Sequence, residues 1–199
     1  TFGLWYALYD ERIKSHHGIN IKKDSYATFA GRLFIDRESS KPPFWMWNAW
    51  DKQLYCSSYH LSEMNMPYYI SALEAKSVKY IMGYVSAIFL LANYIVKNEV
   101  QHLLKIKAIF TNAEPLHDHQ REIIEQAFRC SVVETYSGCE YAFGGNQMFN
   151  GEMVLWPEAG ILEVLDSHNN IIKFGKGEFL ATGFINEAMP LIRFEIGDI

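Results

Sequence analysis

The stretch Ile106-Lys107-Ala108-Ile109-Phe110-Thr111-Asn112-Ala113-Glu114-Pro115 is followed by Gln120-Arg121-Glu122-Ile123-Ile124-Glu125-Gln126-Ala127-Phe128, and then by Val132-Val133-Glu134-Thr135-Tyr136-Ser137-Gly138-Cys139-Glu140. An apolar run of strand length ends in small and polar residues. A helical stretch follows in which Ile123, Ile124, Ala127 and Phe128 share one face, and a second apolar run then ends in a glycine-containing turn. The same pattern holds nearer the N-terminus. Tyr80-Ile81-Met82 leads into Gly83-Tyr84-Val85-Ser86 and a helix to about Lys97, with Ser86 as its expected N-cap. Leu54-Tyr55-Cys56 leads into Ser57-Ser58-Tyr59-His60 and a helix near Met64 to Ala75. Strands alternating with helices predict an α/β fold, a mostly parallel sheet with flanking helices. In such a sheet every strand-to-helix loop leaves at one carboxyl edge, where ligands of open α/β sheets bind. This gathers His60, Tyr84, Ser86, Asn112, Glu114, Tyr136 and Glu140 on one rim.

Outward from this frame, the first residues predict an amphipathic helix with Leu4, Trp5, Leu8, Tyr9 and Ile13 on one face and Gly18 as its stop. Gly31 to Ile35 is a candidate strand, and Pro42 to Trp50, with two prolines and three tryptophans, reads as a packed loop. Beyond Gly144 short strands are expected at Met153–Trp156, Ile161–Leu165, Ile171–Phe174, Glu178–Thr182 and Leu191–Glu195, forming a small antiparallel sheet or partial barrel. The expected division is therefore an α/β subdomain over 1–145 and a small antiparallel β subdomain over 146–199.

Composition narrows the function classes. Of the 199 residues 49% are apolar and 21% charged, which excludes disorder as the main description. The net charge is -5 and no Lys/Arg stripe stands out along the chain, so a nucleic-acid partner is not expected. Cys56, Cys130 and Cys139 are too few and too scattered for a disulfide framework or a zinc site, which points to a reducing, cytoplasmic compartment. The apolar run Tyr80 to Val96 is interrupted by Gly83, Ser86 and Asn93 and is too short to span a bilayer.

Several rim residues suit nucleotide chemistry. Glu140, in a turn after a strand, could bind Mg²⁺ beside phosphates. Tyr136 offers an aromatic face for a base, and Asp198 after Gly197 could accept both hydroxyls of a ribose. Gly83-Tyr84-Val85-Ser86-Ala87 lacks the glycines of a nucleophile elbow, which argues against a serine hydrolase. His117 and His119 flank Asp118 but point in different directions, with no further ligand to complete a metal site.

Taken together, Thr111-Asn112-Ala113-Glu114-Pro115-Leu116, Tyr136-Ser137-Gly138-Cys139-Glu140 and Met189-Pro190-Leu191-Ile192-Arg193-Phe194-Glu195-Ile196-Gly197-Asp198 resemble the adenylate-forming enzymes. The resemblance is to the phenylacetate–CoA ligase-like branch that includes capsular polysaccharide biosynthesis proteins, and it covers nearly the whole chain. Pro43-Phe44-Trp45, Ser58-Tyr59-His60-Leu61-Ser62 and Gly83-Tyr84-Val85-Ser86 look like the capsular group in particular. The resemblance implies an acyl-CoA synthetase-like fold and an AMP-forming acid–thiol ligase. Such an enzyme activates a carboxylic acid with ATP to an acyl-adenylate and passes the acyl group to a thiol such as CoA, with Mg²⁺.

Carried over residue by residue, the nucleotide side would comprise Asn112, Ala113, Glu114 and Pro115, then Glu134, Thr135, Tyr136, Ser137, Gly138 and Cys139, and finally Asp198. Glu140 would be the metal-binding and catalytic glutamate. His60 would be a second catalytic residue, and Tyr59, His60, Gly83, Tyr84 and Ser86 would border the acyl substrate. The family commonly has glycine where Ser137 stands and a hydroxyl residue where Cys139 stands, and a thiol is the weaker donor. The resemblance further places a phosphate loop before residue 1 and a lysine-bearing domain after residue 199, so the 199-residue stretch alone is expected to be inactive. The alternative is a non-catalytic or divergent nucleotide- and acyl-binding protein of polysaccharide assembly.

Overall fold

A computed structural model describes residues 2–197. The chain opens with helix α1 (Phe2–Tyr9), which continues through a π turn (Asp10–Lys14) and a 3-10 turn (Ser15–His17) to Gly18 at φ +64°. Trp5 and Ile13 are buried as the pattern predicts, but Leu4 is exposed. The chain divides into two compact units: Ser15–Glu134, and the flanking residues up to Lys14 and from Thr135.

In the first unit the strands are β1 (Ser25–Ala30), β2 (Trp45–Asn48), β3 (Gln53–Ser57), β4 (Val78–Tyr84), β5 (Ala108–Asn112) and the first half of β6 (Ser131–Ser137). They lie in the order β2-β3-β1-β4-β5-β6. All pair in parallel except the edge strand β2, which runs antiparallel to β3. Helices α2 (Met66–Ala75), α3 (Val85–Lys97) and α4 (Asp118–Phe128) connect them. One core joins Phe29, Leu54, Ile81 and Ile109 of the strands to Leu73 of α2, Leu91 of α3 and Ile124 of α4. Each such fully buried side chain contributes roughly 1.5–3 kcal/mol. The opposite face carries aromatics: Tyr26 stacks on Tyr80 with centroids 4.9 Å apart, and His17 stands edge-on to Phe110 at 5.8 Å.

Two expectations need correction here. The strand near residue 30 is Ser25–Ala30, and 31–35 is a loop. Its small residues carry little apolar signal, yet Ala27 and Phe29 are wholly buried because the strand sits between β3 and β4. The loop expected over 42–50 contains β2. Pro42 and Pro43 precede that strand rather than interrupt it, and an edge position tolerates nearby proline.

In the second unit the end of β6 pairs antiparallel with β7 (Gly144–Gln147), and β7 with β8 (Met153–Leu155). Strands β9 (Gly160–Leu165), β10 (Ile171–Ile172), β11 (Glu178–Gly183) and β12 (Phe194–Glu195) form a separate antiparallel sheet in the order β10-β9-β11-β12. Met153–Leu155, expected in that sheet, pairs with β7 instead. Trp156 is the reason: it is buried, its indole N–H donates to Asn146 Oδ1 at 2.8 Å, and Trp5 packs on it at 5.4 Å. Gly144 leaves the room, since a Cβ there would lie 2.5 Å from Trp156 and 2.7 Å from Trp5. Among the described residues no helix is long and apolar enough to cross a membrane.

The entry to α3 also differs from expectation. Tyr84, not Ser86, occupies the N-cap position. The exposed helix N–H groups are satisfied from another loop: Ser86 N donates to Glu114 Oε2 at 2.6 Å and Ser86 Oγ to Oε1 at 2.9 Å. A carboxylate at a helix N-terminus is favoured by the helix dipole. Just before it, Gly83 has φ +148°, and a Cβ there would stand 2.0 Å from the Phe29 carbonyl oxygen. Gly83→Ala should therefore lower the unfolding free energy by about 2–4 kcal/mol. Glu114→Ala should cost about 1 kcal/mol, because its hydrogen bonds are charge-assisted but partly exposed. Urea unfolding measures both, and an unchanged midpoint for Gly83→Ala would contradict the tight passage of β4 against β1.

Candidate functional site

Because β3, β4, β5 and the first half of β6 run parallel, the carboxyl ends of β3, β4 and β5 share one edge of the first unit. His60 follows β3, Tyr84 ends β4, Asn112 ends β5, and Glu134 lies in β6. Asn112 to Pro115 form a loop in which Ala113 takes a left-handed conformation, φ +63°. The loop is held at two points. Glu114 binds the start of α3 as described, and Leu116 N donates to Glu134 Oε1 at 3.4 Å. Glu114 thus acts as a clamp between two loops of the rim, with both carboxylate oxygens engaged.

His60 is 6% exposed, and both ring nitrogens are used. Nε2 lies 2.9 Å from the Asp36 carbonyl oxygen and Nδ1 2.8 Å from Ser57 Oγ. A carbonyl only accepts, so Nε2 carries a proton, while Nδ1 is paired with a serine hydroxyl that can donate or accept. Phe44 stacks on the ring at 5.1 Å. The geometry suits a histidine that fixes the 31–37 loop against the end of β3.

Tyr59 and Tyr84 both approach Gly31. A Cβ on Gly31 would lie 3.3 Å from the Tyr84 ring and hydroxyl and 3.5 Å from the Tyr59 hydroxyl. The Tyr59 hydroxyl donates to the Gly31 carbonyl at 2.9 Å, and the Arg37 guanidinium covers the Tyr59 ring at 4.4 Å. Tyr55 belongs to the same cluster: burial pushes its hydroxyl up, against the pull of the Arg32 amide and charge. Tyr55, Arg32, Asp36 and Arg37 were not legible as site residues. Tyr55 reads as one position of a strand, and the other three fall in or beside a stretch that reads as a strand but folds as a loop.

In the second unit, Thr135, Tyr136 and Ser137 complete β6 and lead into Gly138, Cys139 and Glu140. Tyr136 packs against Phe143 with ring centroids 5.0 Å apart, and one face of a small cluster with Ala142 and Ala181 supports it. The Glu140 carboxylate turns back over Gly138, where a Cβ would lie 2.6 Å from Oε2. Only glycine at 138 leaves that carboxylate its place. Cys139 is exposed, whereas burial raises the thiol of Cys130 to about 12 and pushes that of Cys56 higher still. Neither of these two thiols supplies a thiolate near neutral pH. Among the described residues no three His, Cys, Asp or Glu side chains stand together as a ready-made metal site. Asp198 lies outside the described residues.

No protein-family model matches the chain. Protein CapK of Staphylococcus aureus is 33% identical over 190 residues, which cover 96% of this chain and 41% of that protein. The chain thus spans about two fifths of the relative it matches. Among solved structures, an open conformation of 2-hydroxyisobutyryl-CoA ligase in complex with 2-HIB-AMP and CoA has a TM-score of 0.69 at 18% identity, covering 96% of this chain and 46% of that one. The acyl-CoA synthetase of Brucella canis has a TM-score of 0.52 at 14% identity, covering 89% and 33%. The chain is thus similar to CapK along nearly its whole length, and its fold is that of the acyl-CoA ligases.

Proposed function

We propose that this chain is the nucleotide- and acyl-binding core of an AMP-forming acid–thiol ligase that works in capsular polysaccharide biosynthesis. The observation that carries the reading is the Asn112–Pro115 loop, clamped by Glu114 and Glu134 beside the Tyr59–Tyr84 cluster at one carboxyl edge. Such an edge is where open α/β sheets bind ligands. In the reaction a carboxylate oxygen bonds to the α-phosphorus of ATP while the bond to pyrophosphate breaks. A thiol, as in CoA, then bonds to the acyl carbon and AMP leaves. Use of ATP and CoA, with three free cysteines, suits a cytoplasmic enzyme.

In this reading Asn112 to Pro115 border the adenine, Glu134 and Thr135 belong to the nucleotide side, and Tyr136 stacks on the base. Ser137, Gly138 and Cys139 pass the phosphates, and Asp198 accepts the ribose hydroxyls. Tyr59, Gly83, Tyr84 and Ser86 border the acyl group. His60 acts there as a positioning residue, since its nitrogens are committed to Ser57 and Asp36. The half-exposed Glu140 suits a metal that takes its other oxygens from phosphates and water. Mg²⁺, when bound, would offset the phosphate charge. A second reading, a binder without ligase activity, is favoured by Cys139, whose thiol donates more weakly than a hydroxyl.

Pyrophosphate exchange by the full-length protein against a panel of aryl, fatty and amino acids separates the two. Acid-dependent exchange is expected, whereas AMP binding without exchange for any acid would favour the binder. Tyr136→Ala should weaken AMP binding by about 5- to 150-fold, the worth of one base–aromatic stack. Asp198→Ala should do so by about 10- to 150-fold through lost charge-assisted hydrogen bonds. Glu140→Gln should reduce exchange far more than AMP affinity, because AMP lacks the phosphates a metal would bridge. Calorimetric titration of AMP checks the first two, and equal losses in both assays would reject the role of Glu140.

A further inference from the structure

The opposite, amino edge of the parallel sheet carries a feature that the proposed ligase chemistry does not use. Lys22 and Lys23 precede β1, Lys52 precedes β3, Lys76 and Lys79 bracket the start of β4, and Lys107 precedes β5. Half of the chain's twelve lysines thus stand at one edge of a chain whose net charge is -5. Strands β3-β1-β4-β5 are successive neighbours, and at about 4.8 Å per strand their entries form a front about 14 Å wide. Within it Lys23, Lys52, Lys76 and Lys79 line an open cavity of ≈ 420 Å³ floored by Trp47, whose ring Lys76 covers at 4.6 Å. The local acids do not cancel this charge. Asp24 and Lys107 pair at 2.6 Å and offset each other, and Asp51 at the margin, bonded to Asn48 at 2.7 Å, keeps its charge but is outnumbered by Lys22, Lys23, Lys52, Lys76 and Lys79.

Beside this front, at the tip of the β2–β3 turn, Trp50 is 97% exposed, and Ile21 next to Lys22 is 46% exposed. The two turns are fastened together, because Lys52 Nζ donates to the carbonyls of Lys22 and Lys23 at 3.0 and 3.1 Å. We propose that this edge docks on the surface of a bilayer rich in anionic lipid. Lysines near such a surface each add attraction, and an amphipathic indole belongs at the headgroup level. The chain's overall negative charge does not prevent this, since salt screens charges beyond about 8–10 Å and leaves the local face to act. A soluble inorganic polyanion such as polyphosphate would need the lysines but offers nothing apolar or aromatic to a wholly exposed indole. The lysine front also matches a plane better than a single phosphate.

The test is co-sedimentation of the full-length protein with vesicles of phosphatidylcholine alone and of phosphatidylcholine with about one third phosphatidylglycerol. Binding is expected only to the anionic vesicles, falling steeply as NaCl rises from about 0.05 to about 0.5 M. Lys22→Gln/Lys23→Gln should weaken it by about 30-fold, roughly fivefold per lysine, and Trp50→Ala should weaken it further. All three side chains are exposed, so both variants should keep the wild-type unfolding midpoint and AMP affinity. No binding to anionic vesicles, equal binding to both vesicles, or binding unchanged by the variants would overturn the proposal. Variant-sensitive binding of inorganic polyphosphate without vesicle binding would overturn it in favour of a soluble polyanion.

Discussion

Parallel hydrogen bonding runs without a break from β3 through β1, β4 and β5 into β6. Because the strands share one direction, every loop leaving them emerges at the same edge and every loop entering them at the other. The pairing is possible only because β4 passes close to β1, and Gly83 supplies that closeness: any side chain there would meet the Phe29 backbone. The turn into α3, the rim residues beyond it and the lysines behind it all depend on this contact. The three helices then cover one face of the sheet and make the arrangement stable against water.

Within the rim, polar groups are engaged mainly in holding loops together. Glu114 bridges the ends of β4 and β5 through the start of α3, His60 ties the 31–37 loop to the end of β3, and Glu134 steadies the Asn112–Pro115 loop. A site whose loops are fixed this way is preorganised: ligand binding need not supply the free energy of ordering them. The same economy holds for His60, with one nitrogen donating to the Asp36 carbonyl and the other bonded to the Ser57 hydroxyl.

The two edges of the sheet differ in chemical character. The carboxyl edge is rich in tyrosine and carboxylate, whereas the amino edge carries lysine and a bare tryptophan. A bound nucleotide at one edge and a charged plane at the other could be engaged at once, since separate ends of the strands serve each.

Much of the architecture was legible because the relevant signals are local. Apolar runs ending in small residues, helical faces such as Ile123, Ile124, Ala127 and Phe128, and turn residues after Gly144 all depend on near neighbours in the chain. The α/β class and the antiparallel tail followed, as did the rim positions of His60, Tyr84, Asn112 and Glu114. What stayed hidden depends on partners distant in sequence. Ser25–Ala30 is a strand because β3 and β4 flank it, and Ser86 is the second helical residue because Glu114, 28 positions later, meets the helix start. The contact of the His60 ring with the Asp36 carbonyl, 24 positions earlier in the chain, has no local signal either. The lysines between positions 22 and 107 form no stripe along the chain. Only parallel pairing, which repeats the entry of each strand at the same edge, brings them together.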